Sequence, residues 1–282
     1  MTQLTSKPTI LITGCSSGIG LYCAQQLKTK GYRVFATARK SKDVEQLHQQ
    51  GFEAVTLDLD SSDSINAAVE HVLQLTDGKL DALFNNGAYG QPGAVEDLDR
   101  DTLRKQFETN LFGTMELTNL ILKTMRKQGH GRIIQNSSVL GLVALPFRGA
   151  YNASKFALEG LTDTMRLELS TTNIKVSLIE PGPITSKFRD NALKALLDNV
   201  DYQHSALKEH YQQALERLEA QQSPSQFCLG PEAVYTKLLH ALESKKPKAR
   251  YYVTFPTYLM AYLRRILPTK WLDKILFASA NS

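Results

Sequence analysis

The sequence predicts a doubly wound parallel α/β sheet, and three observations predict it. Short apolar, β-branched runs alternate with helix-like stretches along most of the chain, the pattern of parallel strands joined by helical crossovers. The first run, Thr9-Ile10-Leu11-Ile12, leads straight into a glycine-rich turn, Thr13-Gly14-Cys15-Ser16-Ser17-Gly18-Ile19-Gly20, and then a helix-like stretch from Leu21 to Lys30. Much later, Tyr151 and Lys155 stand four residues apart in a proline-free helical pattern. That spacing puts them on one face, one turn apart.

Taken in order, the opening run is apolar at every position but its first, as a strand buried on both sheet faces should be. The glycines after it let backbone N–H groups and a helix N-terminus approach a pyrophosphate without Cβ interference. Three residues separate the first two glycines, so the spacing is not G-x-G-x-x-G. Arg33–Ala38 reads as the second strand, followed by Arg39 and Lys40. A site for NAD(H) usually has an acidic residue in this zone to bond the ribose hydroxyls. Two cations suit a 2′-phosphate instead, so NADP(H) is expected in preference to NAD(H).

Phe52–Leu57 is the third strand, closed by Asp58 and Leu59. Asp58 is a candidate either to bond an adenine amine or to cap a helix starting near Ser61 or Ser62. Ile65, Ala68, Val69, Val72 and Leu73 give that helix a buried stripe. Asp81–Phe84 is the fourth strand and runs into Asn85-Asn86-Gly87-Ala88, a small turn suited to lie against a ligand. One long helix is expected from about Thr102 to Lys127, carrying Asn110. A mid-helix asparagine is disfavoured by propensity, so it is either exposed or employed. Arg132–Gln135 is the fifth strand, ending in Asn136-Ser137-Ser138, and Lys175–Ile179 is the sixth, stopped by Pro181-Gly182-Pro183. Hydroxyls at the C-terminal ends of such strands sit where open parallel sheets bind ligands.

Bulk properties exclude several classes. The 282 residues are 42% hydrophobic, enough for one large α/β domain. A net charge of +5 with no base-reading motif points to a solvated basic surface and no nucleic acid. The six histidines lack metal-ligand spacing, so no metal is expected. Three cysteines without C-x-x-C suit a reducing cytoplasm. Met1 to Pro8 has no apolar segment of signal-peptide type, and no apolar run reaches the ~20 residues of a membrane span.

The chemistry centres on Tyr151. A free tyrosine has a pKa of about 10 and is a poor base at neutral pH; a nearby ammonium favours the phenolate. Together, Thr13–Gly20, Asn110, Ser138 with Tyr151-x-x-x-Lys155, and Pro181-Gly182 resemble the short-chain dehydrogenase/reductase family over residues 8 to 255. Within it the chain is similar to bacterial NADP-dependent aldehyde reductases. The run Leu145–Phe147 and Tyr151–Gly160 resembles the hydroxysteroid and retinol dehydrogenase branch. One departure is the order Gly87-Ala88, where the family usually has Asn-Asn-Ala-Gly.

The resemblance implies a single Rossmann-like domain of about seven strands with helices on both faces. It implies that Tyr151 exchanges a proton with the substrate oxygen and Ser138 positions that oxygen. Lys155 would hold the nicotinamide ribose and lower the tyrosine pKa, and Asn110 would anchor a water linking Lys155 to solvent. Cofactor contacts are implied for Gly14, Ser16, Ser17, Gly18, Ile19, Arg39, Lys40, Asp58, Leu59, Asn85, Tyr151, Lys155, Pro181, Gly182, Ile184 and Thr185. A homodimer or homotetramer through the Asn110 and Tyr151 helices is implied as well.

The least family-like segment, 183–230, reads either as a helical lid over the substrate or as a docked helical pair. Leu142, Phe147 and Phe188 are the substrate candidates, and they favour an apolar aldehyde, retinoid or steroid-like ketone. Residues 256–282 form an apolar, basic extension expected to pack on its own domain, with a weak membrane-surface contact or a subunit contact as the alternatives. The leading expectation is an NADP(H)-dependent carbonyl/alcohol oxidoreductase. A 3-oxoacyl reductase of lipid synthesis and a non-catalytic NADP(H) sensor are the alternatives.

Overall fold

A computed structural model describes residues 7–219 and 226–281. Seven parallel strands form one sheet: β1 Thr9–Ile12, β2 Arg33–Ala38, β3 Glu53–Thr56, β4 Ala82–Asn85, β5 Gly131–Asn136, β6 Ile174–Glu180 and β7 Arg250–Tyr252. Their order is β3-β2-β1-β4-β5-β6-β7. The order reverses between β1 and β4, where Ile10, Leu11 and Ile12 pair with Ala82, Leu83 and Phe84. A crevice opens at the carboxyl ends of the strands at such a switch point.

Alternate residues of each strand enter opposite layers, which is why the strand centres are largely apolar. Ile10, Ile12, Val34 and Ala36 pack with Cys23 and Leu27 of α1 (Gly18–Thr29) and with Val234 and Leu238 of α9 (Glu232–Glu243). Leu11, Phe35, Leu83 and Ile133 face the other way. They meet Val72 of α3 (Ser62–Leu75), Ile121 of α5 (Gly113–Gln128) and Met165 of α6 (Gly149–Glu168). The remaining helices are α2 Ser41–Gln49, α4 Arg100–Phe107, α7 Phe188–Asn199, α8 Lys208–Glu219, α10 Phe255–Ile266 and α11 Thr269–Asn281.

Several local expectations change. Ser61, not Asp58, caps α3 by accepting from Ser64 N at 3.3 Å; Asp58 Oδ1 instead accepts from Asp60 N. The expected helix over 102–127 is two helices, α4 and α5, joined by a π-helical turn at Glu108–Phe112. That turn aims Asn110 inward, where it is 1% exposed. No helix among the described residues is long and apolar enough to cross a membrane.

The segment 183–230 is docked as far as it is described; its residues 220–225 lie outside the described residues. Tyr211 of α8 is fully buried among Ala94, Leu98, Ala150 and Leu196 of α7. Its hydroxyl donates to Asp97 Oδ2 and accepts from Ala94 N, both at 2.7 Å. The C-terminal extension also packs on its own domain along one side, where Met260 and Leu276 cover Val143.

Candidate active site

The sheet topology brings the glycine turn, the end of β5 and the start of α6 to one place. A cleft of about 750 Å³ lies there, lined by Gly14, Ser16–Ile19, Ser138, Tyr151, Lys155 and Pro181–Thr185. Thirteen of the site residues expected from the sequence thus share one surface, the thirteenth being Phe188.

Close packing explains the glycines. Gly14 (φ +71°) and Gly18 (φ +59°) occupy the left-handed region that side chains disfavour. A Cβ on Gly20 would lie 2.2 Å from Gly14 O, and one on Gly14 would lie 2.8 Å from Gly87 Cα. The turn is tied down on both sides: Cys15 N donates to Thr37 O at 2.7 Å, and Asn86 Nδ2 donates to Thr13 O at 3.0 Å. Asn86 Oδ1 in turn accepts from Asn136 Nδ2 at 2.9 Å. Both asparagines line the cleft; Asn86 belongs to the turn expected to lie against a ligand, whereas Asn136 carried no expected role, its place at the end of β5 being the available signal.

The departure at Gly87-Ala88 strains nothing, because neither residue has a positive φ. Glycine is favoured at 87 because a Cβ there would meet Thr13 Oγ1 and Leu59 Cδ1 at 3.2 Å. Thr13 Oγ1 accepts from both Asn86 N and Gly87 N, at 2.8 and 2.7 Å.

Tyr151 and Lys155 are both buried on α6. Lys155 Nζ donates to Asn136 O at 2.7 Å and lies 5.7 Å from the Tyr151 ring centre. Burial pushes the Tyr151 phenol up to about 12, and the Ser138 hydroxyl beside it pulls the other way. Burial pushes Lys155 down to about 8, opposed by the Glu159 carboxylate one turn along α6. Burial therefore dominates both shifts in this arrangement. Ser138 Oγ accepts from Leu140 N at 3.1 Å, which holds the hydroxyl at the start of a 3₁₀ turn.

Asn110 is not in the cleft lining. Its amide clamps the loop after β4, accepting from Tyr89 N at 3.1 Å and donating to Tyr89 O at 2.8 Å. Its Nδ2 also reaches Ser154 Oγ on α6 at 3.3 Å. Asn85 too stays out of the cleft, donating to Thr118 Oγ1 at 2.8 Å. Leu59 is buried beneath the turn, where it presses on α5: a Cβ on Gly113 would lie 1.7 Å from Leu59 O. Arg39 and Lys40 are exposed just beyond β2.

Among the substrate candidates, Phe188 alone lines the cleft, with its ring 5.3 Å from that of Tyr151. Leu142 is buried elsewhere, and Phe147 packs on Tyr211 at 5.1 Å. Phe147 itself holds φ +58°, so its loop is shaped by docking to α8. Leu145 lines the cleft in their place. No group of three metal-binding side chains occurs among the described residues.

The residues present fit a dinucleotide. The left-handed glycines and the N-terminus of α1, where Ser17 makes no side-chain cap, leave a backbone cradle open toward the cleft.

Comparison with known proteins agrees with this geometry. The short chain dehydrogenase family matches residues 8–196. The uncharacterized oxidoreductase YbbO of Escherichia coli K12 is 43% identical over 276 residues, 98% of this chain and 96% of that protein. Human 17-beta-hydroxysteroid dehydrogenase type 1 is 35% identical over 88% of this chain and 78% of its own length. A solved actinorhodin polyketide ketoreductase with NADPH superposes with a TM-score of 0.70 at 28% identity, covering 88% of this chain and 95% of its own. A matched family over two thirds of the chain, on a sheet whose switch point gathers the glycine turn, Ser138, Tyr151 and Lys155, makes this protein a short-chain dehydrogenase/reductase, an oxidoreductase of CH–OH and C=O groups.

Proposed function

We propose that the chain is an NADP(H)-dependent oxidoreductase that interconverts a carbonyl and an alcohol on an apolar substrate, with Tyr151 as its acid and base. The observation that carries this reading is the meeting of Tyr151, Ser138 and Lys155 with the glycine turn and Phe188 in one cleft. When bound, the nicotinamide cofactor supplies or accepts the hydride. Gly14, Ser16–Ile19 and Pro181–Thr185 would hold it, with Lys155 on the ribose and Arg39 and Lys40 toward a 2′-phosphate.

In reduction, charge builds on the substrate oxygen, and Tyr151 Oη donates its proton there while the Ser138 hydroxyl stabilises the same oxygen. Burial keeps the phenol protonated at neutral pH, which is the state a donor needs. In oxidation the proton returns to Tyr151 Oη. The Lys155 ammonium favours that phenolate once the cleft is filled. A water on Asn110 would then carry the proton from Lys155 toward solvent.

An apolar substrate is supported by Phe188 and Leu145 and by the name of the human hydroxysteroid relative. NADP(H) is supported by the paired cations after β2 and by the NADPH held by the related ketoreductase. That ketoreductase also favours a second reading, reduction of a 3-oxoacyl ester. The test is oxidation of NADPH and of NADH against long aldehydes, a retinal, a steroid ketone and a 3-oxoacyl ester. The expected result is faster turnover with NADPH, highest on an apolar aldehyde or ketone. Arg39→Glu should lower kcat/KM for NADPH by about 10- to 100-fold, the scale of a lost charge-assisted bond. Tight NADPH binding with no turnover on any substrate would turn the reading toward a sensor.

A further inference from the structure

The C-terminal helices carry an aromatic and cationic face that the described residues touch only at its edge, where Phe227 meets Phe255 and Tyr252 meets Tyr258. On α10, Phe255, Tyr258, Leu259, Tyr262 and Ile266 are all exposed, Tyr262 to 65%. At about 100° per residue they fall within roughly a third of the helix circumference. Thr257, Met260 and Ala261 on the other side are buried. On α11, Trp271 is 63% exposed, with Lys274 Nζ 5.4 Å above its ring. Residues 255–282 also contain Arg265, Lys270 and Lys274 against a single carboxylate, Asp273, while Arg264 packs over the Phe156 ring at 5.0 Å on the domain side of α10.

We propose that this face docks on an anionic phospholipid surface, with α10 and α11 lying in the plane of the interface. Tyrosine and tryptophan rings settle at headgroup level, where one end is apolar and the other wet. The cations add attraction to anionic headgroups, and a helix too short and too charged to span lies on the surface instead. A second copy of the chain is a poorer occupant, because it would bring two like-charged faces together.

The face is continuous with the cleft. Its underside, through Met260, Leu263, Leu272 and Leu276, packs on Val139 and Leu145, and both of those line the cleft. At its other end the Phe255 ring lies 5.3 Å from Phe227, beside the cleft-lining Cys228. Docking therefore sets the active site next to the bilayer, and an apolar carbonyl dissolved there enters without crossing water. That delivery step rests on the function proposed above, whereas the docking itself does not.

The test is flotation of the full chain with phosphatidylcholine vesicles containing about a third phosphatidylglycerol, against vesicles of phosphatidylcholine alone. The expected result is binding to the anionic vesicles, lost at about 0.5 M salt. Arg265→Glu with Lys270→Glu should weaken that binding at least about 25-fold, roughly fivefold for each cation lost. Tyr262→Ser with Trp271→Ser should weaken it as well. Both pairs are exposed, and neither should change turnover of a short, water-soluble aldehyde. Equal flotation with both vesicle types, or none with either, would overturn the proposal. So would a particle mass in sedimentation that halves in the Tyr262/Trp271 variant, because a second copy would then cover the face. Vesicle binding needs neither cofactor nor carbonyl, so its failure is distinct from failure of the proposed activity.

Discussion

The wall of the cleft formed by the glycine turn, Asn86 and Asn136 is held by backbone contacts and side-chain amides, whereas the wall formed by residues 184–191, backed by α7 and α8, is held by apolar side chains. In the first wall a single added methyl group meets backbone, 2.2 Å away at Gly20 and 2.8 Å at Gly14, and just behind it, beneath the turn, 1.7 Å away at Gly113. Backbone cannot swing aside as a side chain can, so this wall fixes position. In the second wall Tyr211 and Leu196 fill a satellite core, and Phe188 leans on Tyr151. Pocketed side chains of this kind exchange shape and volume readily. The difference separates roles: a rigid wall suits a constant ligand, and an adaptable wall suits a variable one.

Five substitutions sharpen or break that contrast, broadly from the largest expected effect down. Gly113→Ala forces α5 away from Leu59 O and should cost about 3 kcal/mol or more, read as a shift in the urea midpoint. Loss below about 1 kcal/mol would mean that the first wall gives as easily as the second.

Next comes the brace behind the catalytic helix. Arg250 of β7 donates to Glu159 Oε2 and Asp163 Oδ2 on α6 at 2.9 and 2.6 Å, and its Nε lies 3.1 Å from Glu180 Oε1 on β6. Arg250→Met strands these carboxyl groups and should cost about 3 kcal/mol. Burial, reinforced by the Glu159 carboxylate, pushes Glu180 up to about 9. The native state thus keeps a proton that the unfolded chain releases above about pH 4.3. Stability from this group is present below that pH and is lost as pH rises toward 9. Urea unfolding at pH 5 and pH 8 should show the Arg250→Met loss growing with pH. Glu180→Gln should flatten the decline of the parent protein across the same window.

Tyr211→Phe, in the second wall, removes the bonds to Asp97 and Ala94 N and should cost about 1–2 kcal/mol. NADPH affinity, measured by fluorescence titration, should stay unchanged; a parallel loss would join the two walls into one unit. Phe188→Ala is the smallest in stability and should act on substrate, raising KM for a long aldehyde several-fold with little change for a short one. Equal effects on both would remove Phe188 from substrate recognition.

The first wall was also the legible one. Strands β1 and β2 fall where the apolar runs put them, and the glycine turn, Ser138, Tyr151 and Lys155, grouped by the family resemblance, line one cleft. Local sequence suffices there because each feature depends on its own short segment. Asn110 was noticed as an anomaly, but not the π-helical turn that aims it: no proline or paired glycine marks the turn, only tertiary contacts with Tyr89 and Ser154. Leu142 and Phe147 looked like cleft residues from proximity in sequence, yet docking of α8 draws Phe147 onto Tyr211. Strand β7 is three residues long and leaves no periodicity to read. The opposing pKa shifts of Tyr151 and Lys155 follow from burial, which the Tyr-x-x-x-Lys spacing does not report.

The central claim is that Tyr151 is the proton donor of a reductase whose cofactor rests on the rigid wall. The most direct measurement is NADPH-dependent carbonyl reduction by Tyr151→Phe, run beside NADPH binding by the same variant. In the variant kcat should fall about 10²- to 10⁴-fold, the usual worth of a general acid, while NADPH binds within about threefold of the parent. Undiminished turnover in the variant would contradict it.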